Sequence, residues 1–318
     1  FGSQAAHALH VWQLMRGSGD LVIEDDQSDP RILAQVLPRV RARCDVLLGP
    51  YSTQLMKRAG RIAADNGWLL WNHGGSGDDV ETAYPGHVVS VLTPTRSYAA
   101  PYMRFIAKES ANRELWIVRG KGSFGRQVAD GAADIARDLG LGNTHSCSSD
   151  EFADAALPLN WDMFSVGTFE DDIELVRRAT AMAQPPRQIC CIAAGVQEFG
   201  SEVTSTDGIF GIAQWFPGGQ HDALLGPTEA TFVDRYKALA GQVPDYPAVQ
   251  AFAAAVVALH CVEQAGGADT KLLWSAATRL DTRTLFGRFS IDSSTGAQIG
   301  HETTLVRWAE GRPQAVSM

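Results

Sequence analysis

The 318 residues suffice for roughly two domains, each able to bury a core. With 45% apolar and 20% charged residues the composition is that of an ordinary globular protein. A net charge of -9 and a pI near 5.4 argue against nucleic acid or an anionic membrane as partners.

No uninterrupted run of 18 apolar residues occurs, so no membrane span is expected. Five cysteines, at positions 44, 147, 190, 191 and 261, leave at least one unpaired. None forms a CxxC or sits with histidine at zinc spacing, and no metal is expected. Cys190-Cys191 lies in an apolar run and reads as two buried thiols.

The sequence opens at Phe1-Gly2 on the edge of a helix, which reads as a trimmed amino terminus. Ala5, Leu9, Trp12 and Met15 give residues 4–16 helical spacing, ended by Gly17-Ser18-Gly19. Leu21-Val22-Ile23 reads as a strand running into Glu24-Asp25-Asp26, a strand-end turn rather than a metal site. Ser28-Asp29-Pro30 starts the next helix. Asp45 to Leu48 is a short buried strand stopped by Gly49-Pro50. Ser52 and Thr53 stand at a helix N-cap, with Leu55, Ala59 and Ile62 behind them and Asn66-Gly67 at the end.

Trp68 to Trp71 is the following strand. The loops Tyr51-Ser52-Thr53 and His73-Gly74-Gly75-Ser76 therefore leave the carboxyl ends of neighbouring parallel strands, the edge where open α/β sheets hold ligands. Hydroxyls at a helix N-terminus, beside a glycine turn that bares backbone N–H groups, suit a carboxylate. Thr53 and Ser76, assisted by Ser52, are expected to bind it. The plainer alternative is that Ser52 and Thr53 only cap a helix and Gly74-Gly75 only turns a loop.

Residues 49–53 (GPYST), followed about twenty residues later by WLLWNHGGS (68–76), resemble the type I periplasmic binding proteins. The branch is the one serving branched-chain amino acid, amide and related ABC importers. Glu24-Asp25-Asp26 and Asp29-Pro30 fit the end of that family's second strand; its first strand would precede Phe1 and is missing. The resemblance implies an α/β fold of two doubly wound Rossmann-like lobes joined by a three-stranded hinge.

Val88 to Leu92 is a strand broken by Thr93-Pro94-Thr95, which the resemblance makes the first crossing between lobes. Ser97 to Glu109 is a helix and Glu114 to Arg119 a strand. Gly120 to Gly125 then spells GxGxxG as GKGSFG before a helix over 126–139. A dinucleotide site needs a carboxylate after the next strand, and GNTHSC supplies none. In the family this loop brings an aromatic-glycine pair to the cleft, a role that fits Phe124-Gly125.

Met163 to Val166 is a strand leading through Gly167-Thr168-Phe169 into a helix over 170–183, whose first turn carries Asp171, Asp172 and Glu174. The resemblance makes Thr168 and Phe169 second-lobe ligand contacts. Phe169 reads equally as a core residue of the helix it begins. Pro185-Pro186 precedes the strand Gln188 to Ile192, a loop at 193–197 and the strand Gly208 to Trp215. Residues 214–217 then resemble the second crossing, with Trp215 at the site. From Thr228 the chain is helical, with Val249, Phe252, Val256 and Leu259 on one face. Tyr246 stands at the family's cleft-facing aromatic position. Residues 284–291, a glycine turn and the strand Thr304 to Trp308 fit a third crossing and the last strands.

His73-Gly74-Gly75 is similar to an esterase oxyanion loop, yet no GxSxG supplies a nucleophile, and no P-loop or HExxH is present. A non-enzymatic binder without cofactor is expected, with lobes at 1–93 plus 217–284 and 94–216 plus 285–318. It captures a carboxylate- or amide-bearing solute between the lobes and passes it to the membrane permease of an ABC importer. Its compartment is the periplasm or another extracytoplasmic space. The alternatives are a cytoplasmic amide or amino-acid sensor of the same fold, an NAD-dependent enzyme and an esterase-like hydrolase. The amino-acid members hold the ligand's ammonium with an acid in the loop after the strand 188–192. Here that loop carries Ala193-Ala194-Gly195, with Glu198 the nearest acid.

Overall fold

The computed structural model describes residues 2–16, 20–109, 114–219 and 222–316. They divide into two compact units: 1–94 with 217–301, and 95–216 with 302–318. Residues 285–301, expected in the second lobe, belong to the first unit, so the third division falls at 301/302 and not near 284.

The chain starts with α1 (Gly2–Arg16). The expected stop at Gly17-Ser18-Gly19 lies outside the described residues. Residues 20–26 form no strand, contrary to expectation: a strand needs a ladder partner, and none of the described residues pairs with Leu21-Val22-Ile23. The helix α2 (Pro30–Arg41) begins where expected, with Asp29 accepting from the Arg31 N–H and Pro30 in the first turn. Then come β1 (Leu47–Leu48), α3 (Thr53–Asn66), β2 (Leu70–Asn72), the short α4 (Asp78–Glu81) and β3 (Val88–Ser90). These strands make a parallel sheet in the order β1-β2-β3. Leu33, Leu37, Leu55, Met56 and Ala59 pack with Leu47, Leu70, Val80 and Val88 into one core. Gly67, at φ 71, ends α3 in the left-handed conformation that glycine tolerates.

The second unit opens with a single 3-10 turn at Thr95–Ser97 and α5 (Ala100–Lys108). β4 (Glu114–Arg119) leads into α6 (Ser123–Asp138), β5 (Thr144–Ser148), α7 (Ser149–Phe152), β6 (Trp161–Val166) and α8 (Phe169–Thr180). β7 (Gln188–Cys191) is followed by a 3-10 turn at Ala193–Gly195, α9 (Phe199–Glu202) and β8 (Phe210–Ala213). The chain then returns to the first unit as α10 (Glu229–Ala240), α11 (Tyr246–Ala265) and α12 (Thr270–Arg279). The twenty residues of α11 are long and apolar enough to cross a membrane, but Pro247–Ala255 are buried in the unit's own interior. The stretch over 284–291, expected to carry the third crossing and a strand, lies in an antiparallel hairpin of β9 (Thr282–Thr284) and β10 (Gly287–Phe289).

Finally β11 (Thr304–Ala309) and β12 (Arg312–Ala315) complete the second unit's sheet, in the order β12-β11-β8-β7-β6-β4-β5. Its five inner and far strands are parallel, while β11 and β12 are antiparallel. Neighbouring residues on each strand go to opposite faces. Ile117, Phe164 and Cys190 join one core with Tyr102 and Val128, whereas Val118, Met163 and Cys191 join the other with Val176 and Trp308. Two covered faces explain the unbroken apolar runs. Cys190 and Cys191 are free and point apart, and burial pushes both thiols well above their ordinary range.

Candidate functional site

In the first unit the strand-end loops after β1 and β2 lie against each other. A Cβ on Gly74 would stand 2.5 Å from the Tyr51 Cα and 2.6 Å from the Pro50 carbonyl oxygen. One on Gly75 would stand 2.6 Å from the Met56 Cβ, on the first turn of α3. Only glycine permits this approach, and it gathers Tyr51, Ser52, Thr53, Gly74, Gly75 and Ser76 in one place.

Ser52 takes φ 140 and ψ 151, a conformation that costs a residue with a side chain on the order of 1–3 kcal/mol. Its Oγ accepts from the Leu55 N–H at 3.3 Å and its carbonyl from the Met56 N–H at 2.9 Å. Thr53 and Ser76 are each only 8% exposed, and among the described residues neither hydroxyl has a partner. A hydroxyl on the first residue of a fourteen-residue helix, with a second hydroxyl on the loop packed against that helix start, can hold an anion.

The glycine N–H groups behave otherwise than expected. Gly74 and Gly75 donate to the Asn72 Oδ1 at 3.0 and 2.9 Å, so they face inward and bare nothing to a ligand or an oxyanion. The same side chain donates from Nδ2 to the Gly75 carbonyl at 2.6 Å, to the Ser90 Oγ at 2.9 Å and to the Glu81 Oε1 at 3.1 Å. Asn72, Ser90 and Glu81 are all buried. Burial lifts the Glu81 carboxyl to about 7, against the pull of its bonds from Ser90 and Asn72. Burial also holds the His73 imidazole neutral, with its pKa lowered to about 4, and its Nδ1 has no partner among the described residues. The sequence reading missed this support; the one signal was a polar residue ending an otherwise apolar strand.

The second unit repeats the arrangement with different chemistry. Gly120 sits where a Cβ would meet the Asp171 Oδ2 at 2.5 Å and the Gly167 Cα at 2.9 Å, and Gly125 lies against the Val166 carbonyl. With Gly122 at φ 99, packing and backbone shape account for all three glycines of GKGSFG. Phe124, expected on a loop, lies inside α6 and meets Tyr98 edge to face, with centroids 5.7 Å apart. Thr168 caps α8, accepting from the Asp171 N–H at 3.1 Å, and is exposed. Phe169 lies in the first turn of α8, half-buried against the core of Trp161 and Val176.

Asp172 lies in the first turn of α8, as expected. It is buried, accepts from the Ser165 Oγ at 3.0 Å and the Ala193 N–H at 2.9 Å, and is raised to about 7 by burial. Trp215 is buried just before the chain leaves this unit after Phe216, and Tyr246 opens α11 in the first, half-buried.

A cavity of about 400 Å³ lies at the amino ends of β7 and β8, lined by Arg187, Gln188, Asp207, Phe210 and Arg307 among others. It holds no residue that the sequence singles out. Its two cations are engaged, Arg187 with the buried Asp162 at 3.1 Å and Arg307 over the Phe210 ring at 5.4 Å. The strand-end loops remain the better candidate.

A model of a periplasmic binding protein family matches residues 20–313. No curated protein matches the chain in sequence. A leucine-binding protein from Thermotoga maritima shares the fold with a TM-score of 0.84 at 16% identity, over 99% of this chain and 93% of that one. An ABC-transporter solute-binding protein from Rhodopseudomonas palustris, in complex with 3,4-dihydroxybenzoic acid, gives 0.79 at 14% identity, over 98% and 90%. The branched-chain amino acid binding protein LivJ of Streptococcus pneumoniae, in complex with isoleucine, gives 0.78 at 12% identity, over 99% and 94%.

Proposed function

The chain belongs to the periplasmic binding protein family, and from that premise we propose that it captures a small carboxylate-bearing solute and delivers it to the permease of an ABC importer. The observation that carries this is the pair of nearly buried hydroxyls of Thr53, at the start of α3, and Ser76, on the neighbouring strand-end loop, neither with a partner among the described residues. The solutes bound by the similar proteins, leucine, isoleucine and 3,4-dihydroxybenzoate, are chemically unlike except for their carboxylate. That common group is what hydroxyls and a helix N-terminus recognise. An extracytoplasmic location and a role as binder, not enzyme, follow from the same reading.

A thermal-shift screen of amino acids, benzoates and their amides tests it. A solute at a hundred times its Kd, bound only by the folded state, stabilises by about 2.7 kcal/mol. Carboxylates are expected to raise Tm where the matching amides do not; an equal response to both contradicts the assignment.

A further inference from the structure

Asn72 is fully buried and ties the 73–76 loop to α4 and β3. Two backbone N–H groups, of Gly74 and Gly75, face one end of its amide, and only an oxygen satisfies both. The nitrogen end then has two hydrogens for three acceptors: the Gly75 carbonyl, the Ser90 hydroxyl and the Glu81 carboxylate. Ser90 relieves the shortage by donating its own proton to Glu81. The arrangement is consistent while Glu81 only accepts. Once protonated, Glu81 brings a donor of its own, and the Asn72 nitrogen loses the charge that holds it there.

We propose that Glu81 is a positioning residue for the candidate carboxylate site, acting through Asn72, so that its charge decides how firmly the 73–76 loop is held. The consequence for binding rests on the function proposed above; the effect on the loop does not. The charged groups around Glu81 leave it to titrate alone. On its own helix Asp78 opposes its ionisation, and Asp79 is paired with Lys57 of α3 at 2.5 Å. His73, from the loop after β2, is neutral above about pH 4, and β3 offers only the Ser90 hydroxyl. The carboxyl's raised pKa, near 7, places the switch close to neutrality.

The test follows the Gly74 and Gly75 amide resonances of the unliganded protein from pH 5 to 9. Both are expected to move together through one step with a midpoint near 7, and the step is lost in Glu81→Gln. Ser90→Ala, which keeps Glu81 and Asn72, is expected to move the midpoint upward because the carboxylate loses a donor. Amides that stay flat in the wild type, or a step that survives Glu81→Gln, overturn the proposal. Should Glu81→Gln not fold, an unmoved midpoint in Ser90→Ala overturns it alone. A parallel titration with benzoate and with leucine separates the two claims: an amide step without binding removes the ligand assignment and leaves the positioning role standing.

Discussion

Gly74 presses on Tyr51 so closely that a Cβ at position 74 would stand 2.5 Å from the Tyr51 Cα. The contact is backbone on backbone, so no side chain can rotate away to relieve it. Gly74→Ala is therefore expected to lose about 1–3 kcal/mol of stability. Gly142→Ala, where a Cβ meets nothing within 4 Å, is expected to change it by less than about 0.5 kcal/mol. Urea denaturation of both variants checks the contrast, and equal midpoints refute the close approach.

Asn72→Ala removes the partner of the buried Gly75 N–H, of the half-buried Gly74 N–H and of Glu81 at once. Each buried group left unsatisfied costs about 1–3 kcal/mol. A loss of at least about 3 kcal/mol is expected, read by chemical denaturation, with hydrogen exchange fastest at Gly74 and Gly75. A loss below about 1 kcal/mol shows that the loop does not depend on Asn72.

Stability should fall as pH rises through the acid range. Glu81 and Asp172 hold their protons in the folded state to about pH 7, against ordinary values of 4.5 and 3.8. The unfolded chain releases those protons first, so their contribution is full below about pH 4 and lost by pH 7. His73, at about 4 when folded against 6.5, has the opposite sign: stability is lost as pH falls from 6.5 to 4. Glu81→Gln is thus expected to raise Tm over the wild type at pH 8 and not at pH 4. At about 1.4 kcal/mol for each pH unit between the two states, and about 2–4 °C for each kcal/mol, the gain is several degrees. A gain confined to pH 4 reverses the sign of the argument.

The glycines of GKGSFG serve packing and turn geometry, and no dinucleotide site is expected there. Calorimetric titration with NAD and NADP should give no binding heat. Phe124→Ala should cost stability through its contacts with Tyr98 and the core around Val128. Micromolar binding of either dinucleotide contradicts this reading.

Local signals were legible in the sequence where they decide the structure by themselves. β4 keeps the bounds Glu114–Arg119 read from its apolar run, and α3 runs between its Ser52 cap and Gly67. Leu21-Val22-Ile23 shows the limit, since apolar content marks a segment able to pair without supplying the partner. The site divides in the same way. The juxtaposition of the 51–53 and 73–76 loops follows from two neighbouring parallel strands. The direction of the Gly74 and Gly75 N–H groups depends on Asn72, which closes on Ser90 18 residues away and on Glu81 nine away. Nothing in the residue types alone orients that amide. Asp172 stands in the first turn where it was expected, but its burial was not legible, because which side of a helix faces its sheet depends on the packing.

Calorimetric titration of the wild type and Thr53→Ala with a carboxylate solute and with its amide tests the central assignment most directly. A hydrogen bond to a charged group is worth about 1.5–3 kcal/mol, so Thr53→Ala should weaken carboxylate binding about ten- to a hundredfold. The amide should bind the wild type weakly and be little affected by the substitution. Carboxylate affinity unchanged in Thr53→Ala, with the fold intact, contradicts the account and leaves Thr53 as a helix-start residue alone.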